Sequence, residues 1–244
     1  MRILVFQHIP VEHPGVFRDF FAADGHSWQA VELDAFEEIP DLGQFDVLWV
    51  MGGPMDTWQE EEYPWLVKEK QAIREAVLER GMPFLGFCLG AQLLADALGG
   101  EVGVMPTPEV GVMSVSLTGD GRNDPLFQGF DQKIQCLQWH SYRVHRMPVG
   151  GRALCESDLC SVQAFAVGDT AYGIQYHVEQ TPQTVPEWGD VPAYREALEQ
   201  TLGPGALEAL EREVAKHLPQ FNTDAERLYR NFLSQCTTAS TSTS

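Results

Sequence analysis

Residues 82–100, MPFLGFCLGAQLLADALGG, constrain the fold of this chain more than any other stretch. The apolar run 83–87 has the length of a buried strand. It leads straight into Gly86-Phe87-Cys88-Leu89-Gly90, and then into a helical pattern that stops at Gly99-Gly100. Strand, tight turn and helix in that order are the context of a nucleophile elbow, which pushes one side chain out at the tip of a sheet. Cys88 occupies the tip. The turn needs strained backbone angles, and side chains at 86 and 90 would collide with the adjoining strand and helix, so glycine is expected at both. A cysteine at a helix N-terminus also meets the positive end of the dipole, which favours the nucleophilic thiolate. A lone cysteine in an apolar run ordinarily serves packing. The chemistry therefore rests on partners elsewhere in the chain.

The strand–turn–helix pattern has neighbours of the same kind. Residues 2–7 read as a first strand, 14–23 as a helix ending at Asp24-Gly25, 28–33 and 45–51 as further strands, and 64–80 as a helix. The acidic run Glu60-Glu61-Glu62 suits the positive end of that last helix, and a solvated cap accounts for it. Strands alternating with helices predict an α/β fold with an open, mostly parallel sheet covered on both faces. Functional groups in such sheets gather at the carboxyl ends of the strands. After Gly100 the texture changes to short alternating runs (110–117, 133–139, 162–167, 171–177) broken by Gly, Pro, Asn and Asp. These read as a small antiparallel portion, its last two strands joined by a tight Gly168-Asp169 turn. Residues 181–192 read as irregular, and 193–202, 205–217 and 224–233 as helices. The Ser/Thr-rich stretch 237–244 has nothing to bury and is expected to be disordered.

Charge excludes two partner classes. Sixteen Lys and Arg against 35 Asp and Glu give 16 − 35 = −19, with no basic stripe. Nucleic acid and anionic membranes are therefore not expected as partners. The acidity suits either plain solubility or a salt-rich environment. The N-terminal apolar run is too short for a signal peptide or a membrane span. Five irregularly spaced cysteines (Cys88, Cys136, Cys155, Cys160, Cys236) fit a reducing cytoplasm better than a disulfide framework. Cys155 and Cys160 lack the paired-ligand spacing of a metal site.

A cysteine nucleophile needs a histidine to carry protons and, commonly, an acid to orient it. Of seven histidines, His177 differs from the rest: it closes the apolar run 172–176, and Glu179 follows two residues later. At a strand end that spacing puts both side chains on one side. Gly52-Gly53-Pro54, after the buried run 45–51, would let a backbone N–H approach a substrate oxygen. With the N–H of Leu89 it would form an oxyanion hole, each donor supplying about 2.7–4 kcal/mol in the transition state.

With these three pieces in hand, the chain resembles the class I (triad-type) glutamine amidotransferases. The matching segments are GGPMDTW, GFCLGAQLLA and GIQYHVE, in the family's order, and Trp139-His140-Ser141-Tyr142 is similar to its substrate-binding segment. Gln7-His8, Gly15 and Glu109-Val110-Gly111 are similar to the stand-alone, guanosine monophosphate synthetase-like members. The resemblance implies a flavodoxin-like sheet and a Cys-His-Glu triad. Cys88 would be the nucleophile, His177 the base and then acid, and Glu179 its orienter. Gly53 and Leu89 would form the oxyanion hole, and Gln92, Ser141 and Tyr142 would hold the substrate, with His140 a structural residue beside them. Val178 stands where the family often has proline, a departure that touches no reacting group. The resemblance also implies a hydrolase or transferase of the cytoplasm that needs no metal or organic cofactor for its glutaminase half-reaction. The substrate is glutamine or another γ-glutamyl compound. No ATP-pyrophosphatase module or phosphate-cradling P-loop is visible, so a separate synthase subunit is the expected partner if ammonia is passed on. The resemblance covers residues 1–180, with 181–236 expected as a helical extension packed on the same domain. Three readings follow: a glutaminase or free-standing amidotransferase, a γ-glutamyl peptidase or hydrolase, and a catalytically silent binding or regulatory relative.

Overall fold

The first strand, β1 (Arg2–Gln7), shows how the sheet is built. Ile3 and Val5 feed the core on one face and Leu4 and Phe6 the core on the other, so a continuous apolar run is what a strand covered on both sides requires. In the computed structural model, which describes residues 1–241, β1 is followed by α1 (Phe17–Ala23), β2 (Ser27–Glu32), β3 (Val47–Val50) and α2 (Trp65–Arg74). Then come β4 (Phe84–Phe87), α3 (Leu89–Ala97), β5 (Glu101–Leu117), the short α4 (Gly119–Asn123), β6 (Lys133–Arg146), β7 (Gly151–Glu156), β8 (Ala164–Val167) and β9 (Ala171–Ile174). Three helices finish the described chain: α5 (Thr184–Gly189), α6 (Pro192–Leu202) and α7 (Ala206–Thr241).

Among the described residues the strands form one nine-stranded sheet in the order β2-β1-β3-β4-β9-β8-β7-β5-β6. From β2 to β9 every neighbouring pair is parallel, and the remaining pairs are antiparallel. The parallel part has the flavodoxin-like strand order, and its carboxyl ends are where a ligand-binding crevice belongs. On one face α1 and α7 cover the sheet, with Phe17, Phe21 and Phe232 set edge-on around Trp49. On the other, Trp65, Leu66 and Ile73 of α2 and Leu93 and Leu94 of α3 pack on Leu48 and Val50. A third cluster docks α5, α6 and α7 on the β5–β6 ribbon through Trp188, Leu198 and Phe221 against Val110, Leu137 and Trp139.

Several expectations differ from this architecture. The strand expected at 171–177 belongs to both parts of the sheet, antiparallel to β8 and parallel to β4, and its ladder stops at Ile174. Strand β7 occupies a segment to which the sequence assigns no element, and helix α5 replaces part of 181–192, read as irregular. The helices expected at 205–217 and 224–233 are one, running through Pro219. A proline inside a helix costs about 3 kcal/mol. Phe221, Leu228, Tyr229 and Phe232 beyond it are all buried, each contributing about 1.5–3 kcal/mol, so continuation wins. The same helix extends to Thr241, into the stretch expected to be disordered from 237. Adding a turn to an existing helix costs far less than nucleating one. Residues 242–244 lie outside the described residues. No helix among the described residues is long and apolar enough to cross a membrane.

Candidate active site

The carboxyl ends of β1, β3, β4 and β9 converge on Cys88. Its backbone angles, φ 49° and ψ −106°, lie in a region that L residues avoid, as an elbow requires. Hydrogen bonds hold the strain on both sides: the Cys88 N–H donates to the Ile174 carbonyl at 2.8 Å, and the Gly90 N–H to the Met51 carbonyl at 3.1 Å. The two flanking glycines are sterically required. A Cβ at 90 would sit 2.1 Å from the Val50 carbonyl oxygen, and one at 86 would sit 2.5 Å from the Gly90 backbone.

His177 reaches the same place from β9. Its N–H and carbonyl pair with Leu137 of β6 at 2.9 and 3.1 Å, an isolated bridge that fixes the histidine beyond the end of its own strand. Nδ1 lies 2.5 Å from Glu179 Oε1, and Glu179 Oε2 accepts the Val178 N–H at 2.9 Å. The Glu179 carbonyl accepts the Val16 N–H at 3.0 Å, an approach that Gly15 permits, since a Cβ there would lie 1.8 Å from that oxygen. His177 and Glu179 are both buried. Burial alone would lower the His177 pKa, but the Glu179 carboxylate and the neighbouring Cys88 thiol overcome it and push the imidazole well above its ordinary value. The imidazole thus stands between the carboxylate and the neighbouring sulfur.

A cavity of about 170 Å³ opens over Cys88. Gly53, Leu89, Gln92, Ser141 and Tyr142, the remaining expected site residues, all line it. Gln92 donates to the Tyr142 carbonyl at 3.4 Å and to Gln175 Oε1 at 3.0 Å. His140 holds the segment as expected: Nδ1 donates to the Tyr142 carbonyl at 2.8 Å, and Nε2 lies 3.3 Å from the buried Glu109 carboxylate. A larger hollow of about 630 Å³ lies at the opposite end of the sheet, beside Gly81 and the β8–β9 hairpin. It holds the Arg152–Asp124 ion pair and has neither cysteine nor histidine among its lining residues.

Some of the site is absent from the sequence reading. Gln175 donates to Cys88 Sγ at 3.6 Å, linking the sulfur to Gln92. It sits inside the GIQYHVE match, which was its only signal. The C-terminal helices take part directly: Ala193, Tyr194 and Ala197 of α6 line the cavity, and Trp188 of α5 packs edge-on against His177 with ring centroids 4.6 Å apart. The Tyr194 hydroxyl donates to Glu12 at 2.6 Å. Burial raises the Glu12 carboxyl above its usual range against the opposing pull of His177 and Tyr194. On the far side of the cavity floor, His8 is fully buried between the Gly52 carbonyl, 2.7 Å from Nδ1, and Glu69 Oε1, 2.9 Å from Nε2. Among the described residues no group of three or more His, Cys, Asp or Glu side chains is placed to hold a metal ion.

Known proteins resemble the chain over these same residues. The family profile described as "Glutamine amidotransferase class-I" matches residues 21–187. A glutamine amidotransferase-like protein of Salmonella typhimurium, YfeJ, is 30% identical over 243 residues, 98% of either chain. The glutamine-hydrolyzing GMP synthase subunit of Sulfolobus acidocaldarius is 31% identical over 152 residues, 62% of this chain and 76% of that one. Among solved structures, a glutamine amidotransferase of Thermotoga maritima superposes with a TM-score of 0.85 at 26% identity, covering 95% of this chain and 97% of the other. The amidotransferase of Methylobacillus flagellatus does so at 0.84 and 26%, covering 96% and 94%. The chain belongs to the class-I glutamine amidotransferase family.

Proposed function

We propose that the protein hydrolyses a γ-glutamyl amide through a cysteine thioester, with Cys88 as nucleophile, His177 as acid and base, and Glu179 as orienter. The observation that carries this reading is the unbroken array Cys88–His177–Glu179 at the edge of a cavity also lined by Gly53 and Leu89. The Cys88 thiolate adds to the amide carbon, and the carbonyl electron pair moves to oxygen, which the Gly53 and Leu89 N–H groups stabilise. The carbon–nitrogen bond breaks as the His177 imidazolium gives its proton to the departing nitrogen. Water, deprotonated by the now neutral His177, then adds to the thioester carbon and expels the Cys88 thiolate. The products are a free γ-carboxylate and ammonia or an amine. Gln92, Ser141 and Tyr142 line the cavity where the glutamyl main-chain groups would lie.

Two forms of the reaction are supported by different observations. The likeness to the glutamine-hydrolyzing subunit of GMP synthase favours glutamine as substrate and a separate synthase subunit that receives ammonia. The roof of α6 residues over the cavity supports a second form, turnover of γ-glutamyl peptides or amines whose leaving group would meet Ala193, Tyr194 and Ala197. Release of glutamate and of ammonia or amine from a panel of glutamine, γ-glutamyl peptides and γ-glutamyl amines tests both. Cys88→Ala is expected to be folded and inert. Full activity in that variant overturns the mechanism, and a folded wild type inert toward the whole panel, alone and with a synthase subunit, overturns the enzyme reading in favour of a binding relative.

A further inference from the structure

The buried His8–Glu69 pair takes no part in the mechanism above, yet both side chains are fully excluded from solvent, where an unused charged pair is costly. His8 leaves the carboxyl end of β1, and Glu69, on α2, lies across the imidazole from the Gly52 carbonyl. The Trp65 ring stacks on His8 with centroids 5.5 Å apart, so the imidazole has one place to be. Its Nδ1 faces a carbonyl oxygen, an acceptor only, so Nδ1 carries a proton and donates to Gly52 O at 2.7 Å. Nε2 faces the Glu69 carboxylate. Burial would lower the His8 pKa, but Glu69, the Gly52 carbonyl and Glu12 together outweigh it and the net shift is upward.

The carbonyl that His8 grips belongs to the same peptide unit as the Gly53 N–H. The backbone has no cis peptide bonds, and in a planar trans unit the C=O and N–H point in opposite directions. Anchoring the oxygen on His8 therefore turns the Gly53 N–H away from His8, and Gly53 is a wall of the cavity over Cys88. A glycine pair has little preference of its own for that orientation, because glycine adopts either hand of backbone readily. Bulk is excluded from both residues: a Cβ at 52 would lie 2.5 Å from Glu12 Oε2, and one at 53 would lie 2.8 Å from His8 Cβ. A hydrogen-bond donor on the carbonyl oxygen also polarises the amide and strengthens its N–H as a donor.

We infer that His8 and Glu69 are positioning residues for the oxyanion hole, holding and polarising the Gly52–Gly53 peptide so that its N–H meets the developing negative charge. The inference rests on the proposed thioester mechanism and adds a pair of residues to it. Three variants test it: His8→Leu removes the donor, His8→Gln keeps a neutral donor, and Glu69→Gln keeps the geometry while removing the charge behind it. Loss of a whole oxyanion donor costs about 10²–10³-fold in kcat. His8→Leu should approach ~10²-fold, and His8→Gln and Glu69→Gln should fall by about 3- to 30-fold, the span of a weakened rather than a lost hydrogen bond.

KM for the best substrate of the panel should stay within about threefold, because the ground-state carbonyl gains little from the donor. Two further readouts separate orientation from simple damage. The aldehyde analogue of glutamine adds the Cys88 S–H across its C=O, sulfur to carbon and proton to oxygen. Its inhibition constant should rise in step with the loss in kcat/KM. Alkylation of Cys88 by iodoacetamide, which has no oxyanion, should keep its wild-type rate. Wild-type turnover with unchanged kcat in Glu69→Gln and His8→Gln overturns this inference alone. Equal losses of alkylation rate and aldehyde affinity overturn it as well, since they mark a distorted site. If His8→Leu does not fold, the two conservative variants decide. A wild type without turnover removes this inference together with the mechanism beneath it.

Discussion

Replacing Glu179 by glutamine changes one oxygen for one amide group, and the structure leaves that amide no good orientation. In the native site both carboxylate oxygens accept: Oε1 from His177 Nδ1 at 2.5 Å and Oε2 from the Val178 N–H at 2.9 Å. Glutamine has one acceptor oxygen. If it keeps Val178, its NH₂ faces Nδ1 and forces the proton onto Nε2, leaving no lone pair to accept a proton on the Cys88 side. If it keeps His177, two donors meet at Val178. Losing one buried charge-assisted hydrogen bond costs about 1.5–3 kcal/mol, or about 12- to 160-fold in rate at 1.36 kcal/mol per decade. The first arrangement adds a tautomer penalty that reaches ~10⁴-fold in serine triads.

The assay is glutamate release over a pH series. The Glu179 charge opposes the effect of burial and raises the His177 pKa, so without it the imidazolium is lost at lower pH. The alkaline limb of the kcat profile should move down accordingly. Stability follows the same sign. A histidine whose folded pKa is raised contributes fully below about pH 6.5, its unfolded value, and less as pH climbs through the folded value. The stability gap between wild type and Glu179→Gln should therefore narrow as pH increases. A variant with wild-type kcat and an unmoved alkaline limb would refute the reasoning.

Two further outcomes are expected. Gly90→Ala places a methyl 2.1 Å from the Val50 carbonyl oxygen, a backbone atom that cannot swing aside. Overpacking of this kind costs about 1–3 kcal/mol, read as a lower denaturant midpoint, and an unchanged midpoint would show that the elbow has slack. Asp56 lines the cavity beside Tyr142, whose hydroxyl partly offsets the burial that raises its carboxyl pKa. Asp56→Asn should raise KM about tenfold for γ-glutamyl substrates bearing an α-ammonium, the difference between a charge-assisted and a neutral hydrogen bond. It should leave their N-acetylated counterparts unaffected, and equal KM changes for both would dismiss Asp56 as the ammonium's partner.

Sequence alone carried the parallel half of the fold because its signals are local. Residues 83–87 and 88–98 announce a strand and a helix by period and by glycine punctuation, and Gly86 and Gly90 have no reading that does not involve close approach. Strand β7, GRALCE, has too little alternation to stand out, and its half-buried face is set by β5 and β8 alongside it. Helix α5 was hidden by Pro186 within its first turn and Gly189 at its last position. Within the site, Cys88, His177 and Glu179 were legible because their spacing encodes geometry. Glu12, Tyr194 and Trp188 were not: each meets the site from an element far away in sequence, and no periodicity marks a tyrosine that will reach a glutamate 182 residues distant. His8 and Glu69 are likewise ordinary residues until the fold sets them about one peptide.

Strand β6 has two attachments within six residues. At Leu137 its main chain is tied to His177, and at Tyr142 its carbonyl takes the Gln92 amide. A single rod thus carries both His177, the proposed proton carrier, and Tyr142, a proposed substrate contact, while Cys88 directly follows β4. Any force that slides this rod along its neighbour β5 shifts both residues by the same amount and in the same direction. The sulfur stays behind, and the reaction is put out of alignment in one movement.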